Sequence, residues 1–263
     1  MPRFLIAVPL LGLLTWTLGC ASLGARPTIE DVRFRVAGID FQGIDLAFDV
    51  DVKNPYPVSL GTPRFRYGLD IEDAEFLKSS STAQVELPAG RTSTARLPVR
   101  VEYAALWGAF SRLSGARQAG FRLHGALLVS ALGREYELPI ERRGTLPILR
   151  LPTLTVRDID FSDISLSGAR VSIETELGNP NAFDIGCHGL GYAIRLGDID
   201  IGGIGASTIG TVPATQTGRL VLTGEITAGS ALFQLVRGEG LGTPDLTPTG
   251  SLTTPYGTVE LPR

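Results

Sequence analysis

The sequence of 263 residues contains few of the side chains on which catalysis and metal binding most often depend. It has two cysteines, two histidines and one methionine. Two histidines, His124 and His188, are too few for most hydrolytic or metal chemistry. His188 follows Cys187, but adjacent residues of an extended chain point to opposite faces, so this imidazole would not reach the thiol. We therefore predict no catalytic residues, no cofactor and no metal site, and a protein that is not an enzyme.

An excess of charge of either sign is also absent. The chain has 24 basic and 27 acidic residues, which give a formal net charge of −3. Nucleic acids and anionic surfaces select strongly basic proteins, so we predict no nucleic-acid partner. Two acidic clusters, at residues 70–75 and 158–163, lack the glycine-hinged spacing of a calcium loop. Their carboxylates are expected to face solvent.

The N-terminus has the layout of a bacterial secretory signal. Arg3 precedes an apolar run over residues 4–18, and Gly19-Cys20 follows it. A cysteine directly after a small residue resembles the lipobox of bacterial lipoproteins. The resemblance implies a signal peptide over residues 1–19 and lipid attachment at Cys20, and the absence of Asp after this cysteine implies the outer membrane, facing the periplasm. An ordinary secretory signal and an uncleaved anchor are the alternatives, although the run is shorter than the ~20 residues that span a bilayer.

The rest of the chain repeats itself at an offset of 125 residues. The matching pairs include Asn54 and Asn179, Pro55 and Pro180, Tyr67 and Tyr192, Pro88 and Pro213, and Gly125 and Gly250. Matches that keep one register over so long a stretch indicate two copies of one unit. We predict a tether over residues 20–26, domains over 27–143 and 152–263, and a semi-rigid linker over 144–151 that contains Pro147 and is followed by Pro152.

Each copy contains the alternation typical of antiparallel strands. Apolar residues alternate with polar or charged ones at positions 46–52 and 171–177, a period of two that buries one face of a sheet. Pro55 and Pro180 cannot donate to a sheet ladder and predict the end of each strand. The last strand of the first copy is predicted to end at Pro139.

One segment in each copy has a helical period instead. Tyr103, Leu106, Trp107, Phe110 and Leu113 form the apolar stripe of an amphipathic helix. The first four positions recur, with less bulk, as Ala228, Ala231, Leu232 and Leu235. We predict a short helix that closes one end of each copy. The alternative is a movable lid over an apolar groove, carried by Leu106, Trp107 and Phe110.

The repeated motif resembles the late embryogenesis abundant group 2 domain, also called the water stress and hypersensitive response domain. The residues that carry the resemblance are Val50-Asp51-Val52-Lys53-Asn54-Pro55-Tyr56-Pro57-Val58 with Tyr67-Gly68-Leu69, and Thr175-Glu176-Leu177-Gly178-Asn179-Pro180-Asn181-Ala182-Phe183 with Leu190-Gly191-Tyr192-Ala193-Ile194. The resemblance implies two tandem antiparallel β-sandwiches, fibronectin III-like or immunoglobulin-like, each with one short helix. It implies a structural role for the motif residues Asn54, Pro55, Tyr67, Asn179, Pro180 and Tyr192.

The same resemblance implies a function. We predict a non-enzymatic, membrane-anchored protein that protects the cell envelope during desiccation, osmotic stress or cold. Its partners would be the membrane, through the acyl anchor, and lipids or client proteins. Two alternatives remain open at this point: a lipid-binding or lipid-transfer lipoprotein, and a structural adaptor lipoprotein.

Overall fold

The computed structural model describes residues 25–165, 168–196, 199–226 and 245–261. The predicted signal peptide, Cys20 and the second helical segment lie outside these residues. The predicted mainly β, antiparallel architecture is confirmed. In chain order the elements are β1 Thr28–Ile39, β2 Gly43–Lys53, β3 Arg64–Ile71, β4 Ala74–Thr82, β5 Thr92–Glu102, α1 Tyr103–Ala109, a 3₁₀ helix Ser111–Gly115, β6 Gln118–Ala131, β7 Arg134–Pro147, β8 Thr153–Ser165, β9 Gly168–Gly178, β10 Ile185–Leu196, β11 Ile199–Val212, β12 Thr217–Ile226, β13 Asp245–Thr254 and β14 Gly257–Glu260.

The first half of the chain, residues 25–147, forms two antiparallel sheets that enclose a core. Their strand orders are β1-β2-β5 and β4-β3-β6-β7. Alternate side chains of β2, from Ile44 to Val52, point inward and are at most 1% exposed, as the period of two predicts. Phe48 of β2 and Phe121 of β6 pack edge to face across the two sheets with ring centroids 5.7 Å apart. The first half is therefore a β-sandwich.

The second half, residues 153–261, has the same strand neighbours but joins them into one sheet. Its order is β14-β13-β10-β11-β12-β9-β8. The join is made by β11 and β12, where Ile204 pairs with Gly224 and Gly205 pairs with Thr223. Pro98 of β5 occupies the position of Thr223 in the first half. A proline has no N–H to donate to a ladder, and the two sheets of the first half stay separate at this position.

The end of β7 differs from the prediction. β7 does not end at Pro139 but continues to Pro147, so residues 144–147 of the predicted linker belong to a strand. β7 is the outer strand of its sheet and pairs only with β6. An edge strand tolerates proline because one row of its N–H groups has no partner in the sheet.

The predicted helix of the first half is confirmed as α1, which is shorter than the apolar stripe and is followed by a separate 3₁₀ helix. α1 ends at Ala109, the 3₁₀ helix begins at Ser111, and Phe110 between them has φ −135° and ψ 77°. Gly108 in the last turn of α1 has low helix propensity. The stripe from Tyr103 to Leu113 is therefore interrupted, although both of its end residues are buried.

The connection between the halves begins with two buried residues. Ile148 and Leu149 are 1% and 3% exposed. The Ile148 N–H donates to the Arg117 carbonyl at 2.9 Å, and the Leu149 N–H donates to the Tyr103 hydroxyl at 3.0 Å. Arg117 Nε donates to the Pro180 carbonyl at 2.9 Å. The helical end of the first half thus meets the Asn-Pro turn of the second.

Candidate functional site

Asn54 closes the turn after β2 from a fully buried position. Its Nδ2 donates to the carbonyl oxygens of Val58 and Leu87 at 2.9 Å and of Pro88 at 3.0 Å. Its Oδ1 accepts from the Tyr56 N–H at 2.9 Å. Both ends of the amide are therefore satisfied by backbone groups, and the side chain ties the end of β2 to the loop that leads into β5. We call this arrangement an asparagine clamp.

Asn179 makes the same clamp in the second half. Its Nδ2 donates to the carbonyl oxygens of Phe183 at 2.8 Å, Val212 at 3.0 Å and Pro213 at 3.1 Å. Its Oδ1 accepts from the Asn181 N–H at 3.0 Å. Each partner lies 125 residues after its counterpart in the first clamp. The repeat in the sequence is thus a repeat of hydrogen bonds.

Tyr56 and Asn181 lie two positions after the clamp asparagines. Each forms hydrogen bonds with the segment that precedes the first strand of its own half. The Tyr56 hydroxyl donates to the Ala25 carbonyl at 2.9 Å and lies 3.0 Å from the Tyr136 hydroxyl. The Asn181 amide accepts from the Arg150 N–H at 2.7 Å and donates to the Arg150 carbonyl at 3.1 Å. Ala25 and Arg150 are also 125 residues apart. Each half therefore holds its leading segment at its Asn-Pro end.

The two tyrosines of the motif lie on strands that approach a glycine closely. Tyr67 of β3 pairs with Gly125 of β6, which has φ +148°. A Cβ at this glycine would lie 2.2 Å from the Arg66 carbonyl oxygen. Gly250 has φ +106°, and its Cβ would lie 2.5 Å from a backbone oxygen of β10. Tyr192 lies in β10 at the position that corresponds to Tyr67, but its side chain is outside the described part of the structure.

The side chains of the predicted lid have three different environments. Leu106 is fully buried. Trp107 is 38% exposed and stacks on Tyr103, with ring centroids 5.6 Å apart. Phe110 is partly buried and lies 6.4 Å from the ring of Phe76 in β4. The Tyr103 hydroxyl binds the connecting segment, so the start of α1 is fixed at the junction of the halves. The lid itself stays a prediction.

Paired charges cover the outer faces of β1-β2-β5 and β8-β9-β12. Arg33 contacts Asp51 at 2.6 Å, and Asp49 contacts Arg96 at 2.8 Å and Arg35 at 3.5 Å. We call these surfaces the paired-charge faces. Their members are Arg33, Arg35, Asp45, Asp49, Asp51, Arg96 and Arg100 in the first half, and Arg157, Glu174, Glu176 and Arg219 in the second.

Pairing lowers the pKa of two aspartates on this face. The hydrogen bond from Arg96 lowers the pKa of Asp49, and hydrogen bonds from Thr94 and then Arg33 lower that of Asp51, while partial desolvation opposes both shifts. A carboxylate with a lower pKa in the folded than in the unfolded chain stabilises the fold above its unfolded pKa. That stability is lost as the pH falls through the folded pKa.

We therefore expect the first half to lose stability in acid, below about pH 4. Asp49→Asn is expected to lower stability at neutral pH and to flatten this acid dependence. Urea denaturation at a series of pH values checks both effects. An unchanged acid dependence in the variant would show that Asp49 does not contribute to it.

Cys187 and His188 differ in their exposure along β10. Cys187 is fully buried, and burial raises the pKa of its thiol to about 11, whereas His188 is exposed, as the alternation predicts. His124 Nε2 lies 3.2 Å from Asp70 Oδ1. Among the residues that the structure describes, no group of three or more His, Cys, Asp or Glu side chains could hold a metal ion.

A cavity of about 520 Å³ lies between β4 and β5, at the edge where the two sheets of the first half part. Its lining mixes hydroxyl, amide, guanidinium and apolar groups, and it includes none of the predicted lid residues. The lining residues are Ser81, Thr82, Gln84, Val85, Thr94, Arg96 and Pro98. The corresponding strands of the second half pair with each other.

Lipid attachment at Cys20 stays a prediction because this residue lies outside the described chain. Within the described ranges, no helix has both the length and the apolar character needed to cross a membrane.

A family model matches part of the first half of the chain. The family model described as late embryogenesis abundant protein matches residues 49–144. This segment contains Asn54, Pro55, Tyr67 and α1, so the match supports the family resemblance for the first half. Curated protein sequences show no match to the chain.

Three solved structures are similar to parts of the chain at low sequence identity. A crystal structure of a protein from Archaeoglobus fulgidus is 10% identical and covers 47% of this chain and 100% of its own, with a TM-score of 0.38. A solution structure of an Arabidopsis thaliana protein is 20% identical and covers 46% of this chain and 80% of its own, with a TM-score of 0.36. A crystal structure of red sea bream transglutaminase is 13% identical and covers 88% of this chain and 30% of its own, with a TM-score of 0.29.

Proposed function

We propose that this chain is a non-enzymatic, lipid-anchored stress-protection protein of the cell envelope, built from two late embryogenesis abundant group 2 units. The family match over residues 49–144 supports the first unit. The second asparagine clamp, with every partner at the same offset, supports a second unit of the same kind.

The proposed anchor is the acylated Cys20, five residues before the first described residue, Ala25. Burial of two or three acyl chains contributes roughly 0.8 kcal/mol per CH₂ and makes attachment effectively permanent. The folded halves would then stay close to the periplasmic face of the outer membrane.

The paired-charge faces are the observation that carries the proposed function. In water an exposed ion pair contributes about 0–1 kcal/mol, because solvent screens the charges. As water is removed the local dielectric constant falls and the attraction within each pair grows. The side chains of Asp49 and Asp51 are 14% and 16% exposed and already contact arginines. A fold covered with such pairs keeps its structure at low water activity and can separate neighbouring proteins as they dry.

Drying a labile enzyme together with residues 21–263 tests this function. We expect more enzyme activity to survive drying and rehydration than with an equal mass of albumin, because a fold that persists keeps enzyme molecules apart. If the protein protected no better than albumin, the proposal would lose its main support.

A matched pair of variants tests whether the paired-charge face matters. Arg33→Gln with Arg96→Gln leaves Asp49 and Asp51 with fewer partners. The control, Arg64→Gln with Arg66→Gln, removes the same number of arginines, but their partners are 50% and 59% exposed glutamates. We expect both variants to fold in water and the first to lose more protection on drying. Equal losses would argue against a specific role of this face.

Lipid binding is the second candidate function, favoured by the exposed ring of Trp107 on α1. Native mass spectrometry of residues 21–263 purified from membranes distinguishes lipid binding from stress protection. A stoichiometric lipid that is lost in Trp107→Glu would identify a lipid carrier. A mass without lipid would favour protection.

A further inference from the structure

Leu132 lies at the tip of the β6–β7 hairpin in a backbone conformation that leucine rarely adopts. It precedes Gly133 in a two-residue loop, where Ala131 pairs with Arg134. Its φ is +49°, and its side chain is 64% exposed. Two-residue loops of this kind favour Asn, Asp or Gly at such positions, and a bulky residue there is strained. A strained and exposed leucine is therefore a candidate for a contact outside the fold.

Val58 is a second exposed apolar side chain at the same end of the first half. It is 46% exposed and lies in the turn that Asn54 closes. The Tyr56 hydroxyl of this turn lies 3.0 Å from that of Tyr136, four residues after Leu132 on β7. The turn and the hairpin tip thus lie side by side.

The corresponding surface of the second half is covered. Phe183 stands where Val58 stands in the first half, but it is only 7% exposed. Its ring packs edge to face on Tyr256, in the loop between β13 and β14, at 5.4 Å. Pro180 of the same turn accepts a hydrogen bond from Arg117 of the first half. The chain itself therefore covers this end in the second half and leaves it uncovered in the first.

Unpaired basic side chains surround the uncovered end. They are the exposed residues Arg26, Arg91 and Arg134, none of which has a salt bridge to an acidic residue in the described part of the chain. Of the acidic residues nearby, Glu135 already pairs with Arg64 at 2.8 Å, and Glu30 accepts from the Thr92 hydroxyl at 2.9 Å. Glu86 is exposed without such a partner. The uncovered end thus combines two apolar side chains with free positive charge.

The short distance in sequence between Cys20 and Ala25 limits how far this end can lie from the proposed acylation site. Tyr56 holds Ala25 at this end, and Ala25 lies five residues after Cys20 in the sequence. Five residues span at most about 18 Å when fully extended. If Cys20 is acylated, as proposed above, this end lies next to the lipid headgroups, while the opposite end of the first half contacts the second half.

We propose that the Asn-Pro end of the first half docks on the bilayer surface, with Leu132 and Val58 entering the headgroup region and the three arginines contacting lipid phosphates. Apolar side chains flanked by basic ones bind the interface of anionic bilayers in this way. The contact would hold both halves in one orientation on the membrane. This inference rests on the proposed anchor.

Site-specific fluorescence on the acylated full-length protein tests the docking. Leu132→Cys and the control Val221→Cys, which is 45% exposed on β12, are each labelled with an environment-sensitive dye. Cys187 is buried and will not take the label. The proteins are reconstituted into vesicles of phosphatidylethanolamine and phosphatidylglycerol that contain a headgroup spin label. We expect a blue shift and quenching at position 132 and neither at position 221.

The flotation and quenching results distinguish the proposed docking from the proposed anchor. If the protein floats with the vesicles but both dyes stay unquenched, the anchor stands and the docking is overturned. If the dye at 221 is quenched as strongly as that at 132, the proposed orientation is wrong. A protein that does not float with vesicles overturns the anchor and the docking together.

The variant Leu132→Asn distinguishes contact of Leu132 with the bilayer from a contribution of Leu132 to the stability of the fold. Asn adopts a positive φ more readily than Leu, so the variant is expected to melt at a higher temperature. At the same time, binding of unacylated residues 21–263 to the same vesicles is expected to fall about fivefold. Vesicle binding equal to that of the unmodified sequence would show that Leu132 does not contact the bilayer.

Discussion

Asn54→Asp is expected to destabilise the first half by about 4 kcal/mol or to unfold it. Asp has no N–H to donate to the carbonyl oxygens of Val58, Leu87 and Pro88. The Leu87 and Pro88 oxygens keep the N–H groups of Leu60 and Arg91, so the main cost is a buried carboxylate without a donor for its second oxygen, and removal of one partner of a buried charge costs about 3–5 kcal/mol. A carboxylate in this fully buried position would also face those oxygens. Urea denaturation followed by circular dichroism measures the loss.

A control and a paired variant make this result specific. Asp184→Asn also changes one charge in an Asn-Pro turn, but at an exposed residue that keeps an acceptor for the Ala214 N–H. We expect a change within about 0.5 kcal/mol for this control. Asn179→Asp is expected to destabilise the second half as Asn54→Asp destabilises the first. If Asn54→Asp unfolded at the same urea concentration as the unmodified protein, the clamp would not stabilise the fold.

Gly125→Ala is expected to cost about 3–5 kcal/mol, because two independent penalties add. The new Cβ would lie 2.2 Å from the Arg66 oxygen and 2.7 Å from the Tyr67 Cα. Both are backbone atoms of the paired strand β3, so neither can move without breaking the ladder. The positive φ of +148° adds strain for any L-residue. Thermal and urea denaturation measure the combined effect.

Gly133→Ala separates the close approach from the backbone strain. Gly133 has φ +76°, but nothing lies within 4 Å of its Cβ position. We expect a cost of about 1 kcal/mol there, from the positive φ alone. If Gly125→Ala cost no more than this control, the close approach of β3 and β6 would not explain the repeated glycine.

The positions of the clamps were predictable, but their partners were not. An alternating strand that ends at Asn-Pro is a local signal, so residues 46–55 indicate both the strand and its end. The Leu87 and Pro88 carbonyls lie 33 and 34 residues away from Asn54. The chain between them and the clamp contains the β3–β4 hairpin, and no local period indicates that the end of this hairpin returns to Asn54.

Three other differences depend on tertiary structure. Pro139 looks like a strand terminator until β7 is known to be an edge strand. The helical stripe around Trp107 fits one helix, and only the non-helical backbone of Phe110 shows the break. A single residue, Pro98 in place of Thr223, accompanies two separate sheets in one half and a continuous sheet in the other. Single-residue effects of this kind need the partner strand to be known.

The central claim is that the protein acts as folded β structure at low water activity. Infrared spectroscopy of residues 21–263, in solution and as a dried film, tests it most directly. The paired-charge faces predict that the amide I band keeps the position and intensity typical of antiparallel β-sheet on drying. A dried film in which that band is replaced by one typical of helix or of disordered chain would contradict the claim.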